Sequence, residues 1–266
     1  RYFTPIVLYA CLGTAVCTGC IASLLYSMRS IFTFDVTWLE LLAFGAIVSA
    51  TDPVSTLAVF GAKKVDPQLF YLVFGESVLN DAVGLVLFEA LAHLLLEKEE
   101  SERDTLDETL LVLFDFGVVF VGSLVLGCLC ALGLALLLKT VDMRSTPLLE
   151  LCLYVSVMYF PFVIAEMLHL SGIVTVLFAG IGAKHYAEPN LAPATATSAD
   201  TIFRLTAHVT ETGIFLELGL SVFGLVGTDA LHLGFVAVAL GACLLGRAAN
   251  IYSITFLYNT CVARLG

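Results

Sequence analysis

The stretch Gln68–Leu96, QLFYLVFGESVLNDAVGLVLFEALAHLLL, decides the architecture of this chain. It exceeds the ~20 mostly apolar residues that carry a helix across a bilayer, yet Glu76, Asn80 and Asp81 lie well inside it. A charge at the centre of a membrane helix costs ~2.5–3.5 kcal/mol on insertion scales, so such residues mark ion pathways, proton relays or paired networks. Glu76 precedes Asn80 by one helical turn, and Ser77 precedes Asp81 by the same spacing. On a helix these side chains occupy two adjacent strips of one sector.

The rest of the chain follows the same pattern. Residues of the AVILMFWYC set make up 59% of it and charged residues 13%, with a mean hydropathy of +0.99. An ordinary globular chain is about 25% charged, so the composition points to a membrane. Eight apolar runs are expected to be membrane segments: Pro5–Met28, Trp38–Phe60, Gln68–Leu96, Leu110–Leu138, Leu148–Leu170, Gly172–Ala183, Ile202–Val226 and Leu231–Tyr258. The sixth is short, and Gly172, Gly180 and Gly182 suggest close helix packing there.

If the runs alternate in direction, one side receives Arg1, Lys63, Lys64, Lys139, Arg144, Lys184, Arg204 and Arg264, and the other only Arg29, Lys98 and Arg103. Basic residues concentrate in cytoplasmic loops, so the first side is expected to be cytoplasmic. The net charge of −11 owes much to Glu97–Glu108, which holds seven acids against two bases and reads as a solvated loop. The eight cysteines fall mainly in apolar runs and read as small buried hydrophobes; the Cys17/Cys20 spacing has no second pair beside it.

Asp52, Glu76, Asp81, Glu89, Glu166, Glu211 and Glu217 all lie within the runs, with Arg247 as the one deeply placed base. One such acid is a routine polar contact between helices, whereas seven strain that account. Asp52 stands in Ser49-Ala50-Thr51-Asp52-Pro53, where the proline removes a backbone donor and disfavours helix at the residue before it. A broken helix is expected, bordering a cavity or buried in protein; a plain proline kink is the alternative. The carboxylate of Asp81, the amide of Asn80 and the hydroxyl of Ser77, facing Thr51 and Asp52, offer the oxygens that a hard cation such as sodium requires. Proton and cation would then compete for one buried carboxylate. Glu89 and Glu217 read as packing or interfacial acids, and His93 and His208 as residues near span ends.

TDPVSTLAVF (51–60) followed by GESVLNDAV (75–83) resembles the sodium/proton exchangers of the monovalent cation:proton antiporter superfamily. AEMLHLSGIVTVLFAGI (165–181), TETGIFLELGLS (210–221) and GRAANI (246–251) extend the resemblance over nearly the whole chain. RSTPLLE (144–150) and GRAANIYSITFLYN (246–259) look most like the endosomal and Golgi branch. The resemblance implies that Asp81 binds Na+ or K+ and the proton, with Asn80, Asp52, Thr51 and Ser77 completing the site. It implies a structural ion pair between Glu76 and Arg247, a part in transport or inhibitor sensitivity for Glu166, His169, Gly172 and Glu211, and, through Asn80 before Asp81, electroneutral exchange.

The expected fold is therefore an all-α polytopic membrane protein, a partial inverted-repeat antiporter with a discontinuous helix. Residues 1–266 form one transmembrane exchanger domain, with early and late spans of the family lying outside the sequence. The expected function is antiport of Na+ or K+ against H+, without enzymatic activity or cofactor, in Golgi or endosomal membrane before plasma membrane. A homodimer is expected, with no nucleic-acid partner because the chain has no basic, aromatic face. The alternatives are a potassium-selective exchanger, an intramembrane aspartyl hydrolase and a scaffold that transports nothing. No nucleophilic Ser/His pairing favours the hydrolase, and the cost of burying so many acids opposes the scaffold.

Overall fold

The structure, a computed structural model, describes residues 3–32, 34–51, 59–60, 63, 65–97, 105–224 and 232–265. Eight α-helices are found among them: α1 (Phe3–Ser27), α2 (Trp38–Ser49), α3 (Pro67–Glu97), α4 (Thr105–Thr140), α5 (Pro147–Met167), α6 (Gly172–Gly182), α7 (Pro193–Gly224) and α8 (Leu233–Leu265). Five segments are long and apolar enough to cross a membrane: Pro5–Ser27, Pro67–Leu96, Phe114–Thr140, Pro147–Met167 and Leu233–Thr260. Leu129 and Leu136 on α4, and Leu244 and Phe256 on α8, are all exposed. Apolar faces of that extent would be a liability in water and are natural against lipid. The chain is an all-α polytopic membrane protein.

Several boundaries differ from the apolar runs, each for a local reason. The helix expected at Ile202 begins at Pro193, because proline suits the first helical position and the Ala/Thr-rich stretch after it continues the helix outside the apolar part. The acidic segment expected as loop is helical from Thr105. The run starting at Trp38 yields a helix of only 12 residues. Its start is fixed by a capping box, in which Glu40 accepts the Thr37 amide proton at 2.7 Å and the Thr37 hydroxyl accepts from Glu40 N at 3.4 Å. Its end comes at Ala50, which is already extended (φ −64°, ψ 142°).

The chain divides into two compact units. The first comprises residues 1–116 and 232–266 and contains α1, α2, α3 and α8. There α1 packs on α2, α3 and α8, around Cys17, Ile21, Ala22, Leu25, Leu41, Ala239 and Ala242. Small residues bring the backbones together: a Cβ on Gly45 would lie 2.9 Å from the Thr18 carbonyl oxygen, and one on Gly84 3.0 Å from that of Ala46. Near the loop after α1, the Arg29 guanidinium lies over the Tyr26 ring, 4.5 Å from its centroid, and Tyr26 meets Trp38 edge to face.

The second unit, residues 117–231, contains most of α4 together with α5, α6 and α7. Its core gathers Leu134, Leu138, Tyr154, Ala183, Ala187, Leu191 and Ala199. Two of the three glycines expected to serve close packing around α6 do so: a Cβ on Gly172 would strike the Phe162 ring, and one on Gly182 the Ala131 methyl at 2.6 Å. Gly180 has no described neighbour within 4 Å of that position. The tightest approach is at Gly127 of α4, whose Cβ would collide with the Thr175 carbonyl oxygen and lie 3.0 Å from Ala179 N.

Both of those partners are backbone atoms of α6, so nothing can rotate aside. Gly127→Ala should therefore destabilise the protein by about 1–3 kcal/mol, the usual cost of overpacking. Gly133→Ala, on the same helix with open space around it, should not. Thermal unfolding of the two variants in detergent checks this; equal melting temperatures would contradict the α4–α6 contact.

Candidate ion-binding site

The first unit brings together Thr51, Glu76, Ser77, Asn80 and Arg247. The end of α2 delivers Thr51, held in extended backbone beyond Ala50, to the middle of α3. Asn80 Nδ2 donates to Thr51 Oγ1 at 2.9 Å, and the Thr51 amide N lies 3.4 Å from Asn80 Oδ1, so the amide side chain grips both backbone and hydroxyl of the chain leaving α2. The Ser77 hydroxyl stands 3.3 Å from that of Thr51. Glu76, Ser77 and Asn80 are buried, and Asp81, next along α3, is half-buried. Asp52 and Pro53 lie outside the described residues.

Arg247 enters from α8. Its Nη2 donates to Glu76 Oε2 at 2.8 Å, and Nη1 lies 2.8 Å from Oε1, off the hydrogen-bond direction, so that the second contact is chiefly electrostatic. Glu76 Oε1 also lies 3.4 Å from Asn80 Nδ2. A continuous network thus runs from α8 through the ion pair to Asn80 on α3 and on to Thr51 after α2. A buried carboxylate and guanidinium each cost several kcal/mol to desolvate, and only close, well-oriented pairing repays it. One turn beyond Arg247, Asn250 is buried against Gly13 of α1, where any Cβ would overlap its amide; its Oδ1 has no hydrogen-bond partner among the described residues. Further along the same helices, Tyr9 and Thr255 join α1 to α8 by hydroxyls 2.7 Å apart.

The hydroxyl oxygens of Thr51 and Ser77, 3.3 Å apart, are of the kind that a hard monovalent cation takes. Among the described residues no cluster of three or more His, Cys, Asp or Glu side chains suggests a transition-metal centre.

The other singled-out residues lie in the second unit. Glu166, in the last turn of α5, accepts from the Gly172 amide at 3.3 Å and so caps the start of α6. His169, between the helices, adopts a left-handed φ of 56°, and Ser171 N donates to Ser123 Oγ of α4 at 3.0 Å. Glu211 lies on α7, its carboxylate 4.0 Å from His208 Nδ1.

Two polar residues escaped the sequence reading. Asn250 carries no charge and so failed the test for charges within apolar runs; extending that test to amides would have found it. Glu150 stands at the margin of its run, yet it is 2% exposed and bonded across more than forty residues of sequence.

Comparison with known proteins bears on this geometry. A family model described as sodium/hydrogen exchanger, transmembrane, matches residues 1–263. Sodium/hydrogen exchanger 8 of Homo sapiens is 38% identical over 255 residues, covering 96% of this chain and 43% of that protein. Sodium/hydrogen exchanger 5 of Arabidopsis thaliana is 34% identical over 260 residues, 97% of this chain and 49% of that protein. The endosomal/prevacuolar sodium/hydrogen exchanger of Saccharomyces cerevisiae is 34% identical over 256 residues, 96% and 40% respectively. The chain thus spans less than half the length of these relatives.

Replacing Glu76 by Leu, or Arg247 by Leu, leaves the other charge without its partner. Each change should cost a few kcal/mol, toward the low end of the ~3–5 kcal/mol of a fully buried pair because the Arg247 side chain keeps 28% exposure. The double variant should be more stable than either single one. A double-mutant cycle on the melting temperature measures this, and additive losses would show that the pair carries no coupling.

Proposed function

Because this chain belongs to the sodium/hydrogen exchanger family, we propose that the protein exchanges a monovalent cation for protons across a membrane at Asp81. The observation that carries the proposal is the Thr51–Asn80–Ser77 cluster, which holds the end of α2 beside the residue preceding Asp81. In this reading Asp81 takes either the cation or the proton. Thr51 and Ser77 contribute hydroxyl oxygens, and Asp52 contributes to the same site from the segment after α2. Asn80 acts as a positioning residue, since both ends of its amide are engaged in holding Thr51. The Glu76–Arg247 pair is structural.

Exchange follows from charge balance. Asp81 bound to a proton or a monovalent cation is neutral, and the site can change the side to which it opens. A bare carboxylate at membrane depth costs ~3 kcal/mol on insertion scales, which suppresses the empty transition by about 100-fold and so limits leak. One carboxylate serving two monovalent cations in turn gives one-for-one, electroneutral stoichiometry.

Glu166, His169 and Gly172 are assigned to shaping the α5–α6 turn, and Glu211 to modulating transport. The likeness to the yeast endosomal/prevacuolar exchanger supports an endosomal or Golgi membrane as the site of action, and a homodimer as the working form accords with membership of the family.

The test is cation-dependent proton flux in proteoliposomes of the full-length protein, with sodium and potassium titrated separately. Wild type should exchange, and Asp81→Asn, folded to the same melting temperature, should lose at least 100-fold of the flux. The ratio of the two cation responses gives the selectivity. Normal flux from Asp81→Asn would overturn the assignment of the carboxylate.

A further inference from the structure

Glu150 is an acid in the first turn of α5 with 2% of its surface exposed, and the exchange mechanism makes no use of it. Its carboxylate is received by the start of another helix. Thr195 Oγ1 donates to Oε2 at 2.5 Å, and the Ala192 amide N lies 3.3 Å from each carboxylate oxygen. Ala192 immediately precedes α7, and Pro193, its first residue, has no amide proton to offer. Two helix N-termini, that of α5 itself and that of α7, therefore converge on one negative charge, an arrangement that partial positive charges at both helix ends favour. Thr195 is likewise buried, at 1% exposure.

The contacts that orient α7 within this unit are concentrated at its start. Ala199 is buried in the core, and Phe203 meets Tyr154 of α5 edge to face with ring centroids 6.1 Å apart. From Arg204 to Val222 the helix is exposed or half-exposed. Glu211 stands sixteen residues beyond Thr195, or about 24 Å along the axis at 1.5 Å per residue. A tilt of about 5° at the start of the helix moves Glu211 by about 2 Å over that length.

We propose that Glu150 is a positioning residue for cation exchange: by clasping Ala192 and Thr195 it sets the direction of α7 and hence the placement of Glu211. The inference rests on the exchange function proposed above.

The experiment uses the full-length protein and the variants Glu150→Ala, Glu150→Gln, Thr195→Val and Thr195→Ser. Three quantities are measured: hydrogen–deuterium exchange of the amides at 192–197, the melting temperature, and the sodium half-saturation of proton flux in proteoliposomes. Glu150→Ala and Thr195→Val should speed amide exchange at 192–197 by tenfold or more and shift the half-saturation by threefold or more, with the fold retained. Glu150→Gln should fall between these and wild type, and Thr195→Ser, which keeps the hydroxyl, should restore both values. If Glu150→Ala does not fold, the Thr195 pair carries the test. Faster amide exchange with unchanged transport constants would make the clasp a stability element alone and overturn the proposal. Unchanged amide exchange would overturn the clasp itself. Absence of flux from wild type would instead remove the exchange reading, and this inference with it, whatever the amides do.

Discussion

The ion pair between Glu76 and Arg247 is the interaction on which the first unit depends. It places two opposite charges within hydrogen-bond distance inside a helix bundle, where either alone would carry an unrepaid desolvation cost. Its consequence is directional as well as energetic. By engaging one carboxylate oxygen and sharing the other with Asn80, the pair fixes the rotation of α3 relative to α8. That rotation brings Asn80 to the extended chain after α2, and the two contacts between Asn80 and Thr51 hold the helix end open at that level. Glycines such as those at 13, 45, 84 and 246 make this possible, because there α1, α2, α3 and α8 approach closely enough for short polar side chains to meet.

Much of this was legible in the sequence, and for one reason: a bilayer makes charge conspicuous. Glu76, Asp81 and Arg247 stand out within apolar runs without any knowledge of the fold, and every one of the eight runs contains a helix. That α2 stops short of Asp52 was legible from Pro53. What charge counting could not supply was partnership. It did not show that the amide of Asn80 engages Thr51 and Glu76. It passed over Asn250, which is neutral, and Glu150, which lies at the edge of its run and finds its partners across more than forty residues. Helix ends were misplaced where amphiphilic sequence continues a helix past its apolar part, as at Pro193 and Thr105. Periodicity reports burial, and long-range hydrogen bonds leave almost no trace in it.

The second unit solves a different problem with the same chemistry. Helices that begin inside protein expose amide protons that need acceptors, and α5 supplies a carboxylate near each of its ends. Glu166 receives the Gly172 amide at the start of α6, and Glu150 receives the start of α7. A glutamate in an apolar run therefore has two physically distinct uses in this one chain. In the first unit it neutralises an arginine; in the second it terminates a helix dipole. Sequence position alone does not separate the two, and only the identity of the donor does.

The central claim is that cation and proton compete for a single carboxylate, that of Asp81. The most direct measurement is proton release on sodium binding to the purified full-length protein in weakly buffered detergent solution, followed with a pH indicator. The account predicts, at a pH where the free site is protonated, close to one proton released for each sodium bound. Sodium binding with no proton release at any pH between about 5 and 8 would contradict it.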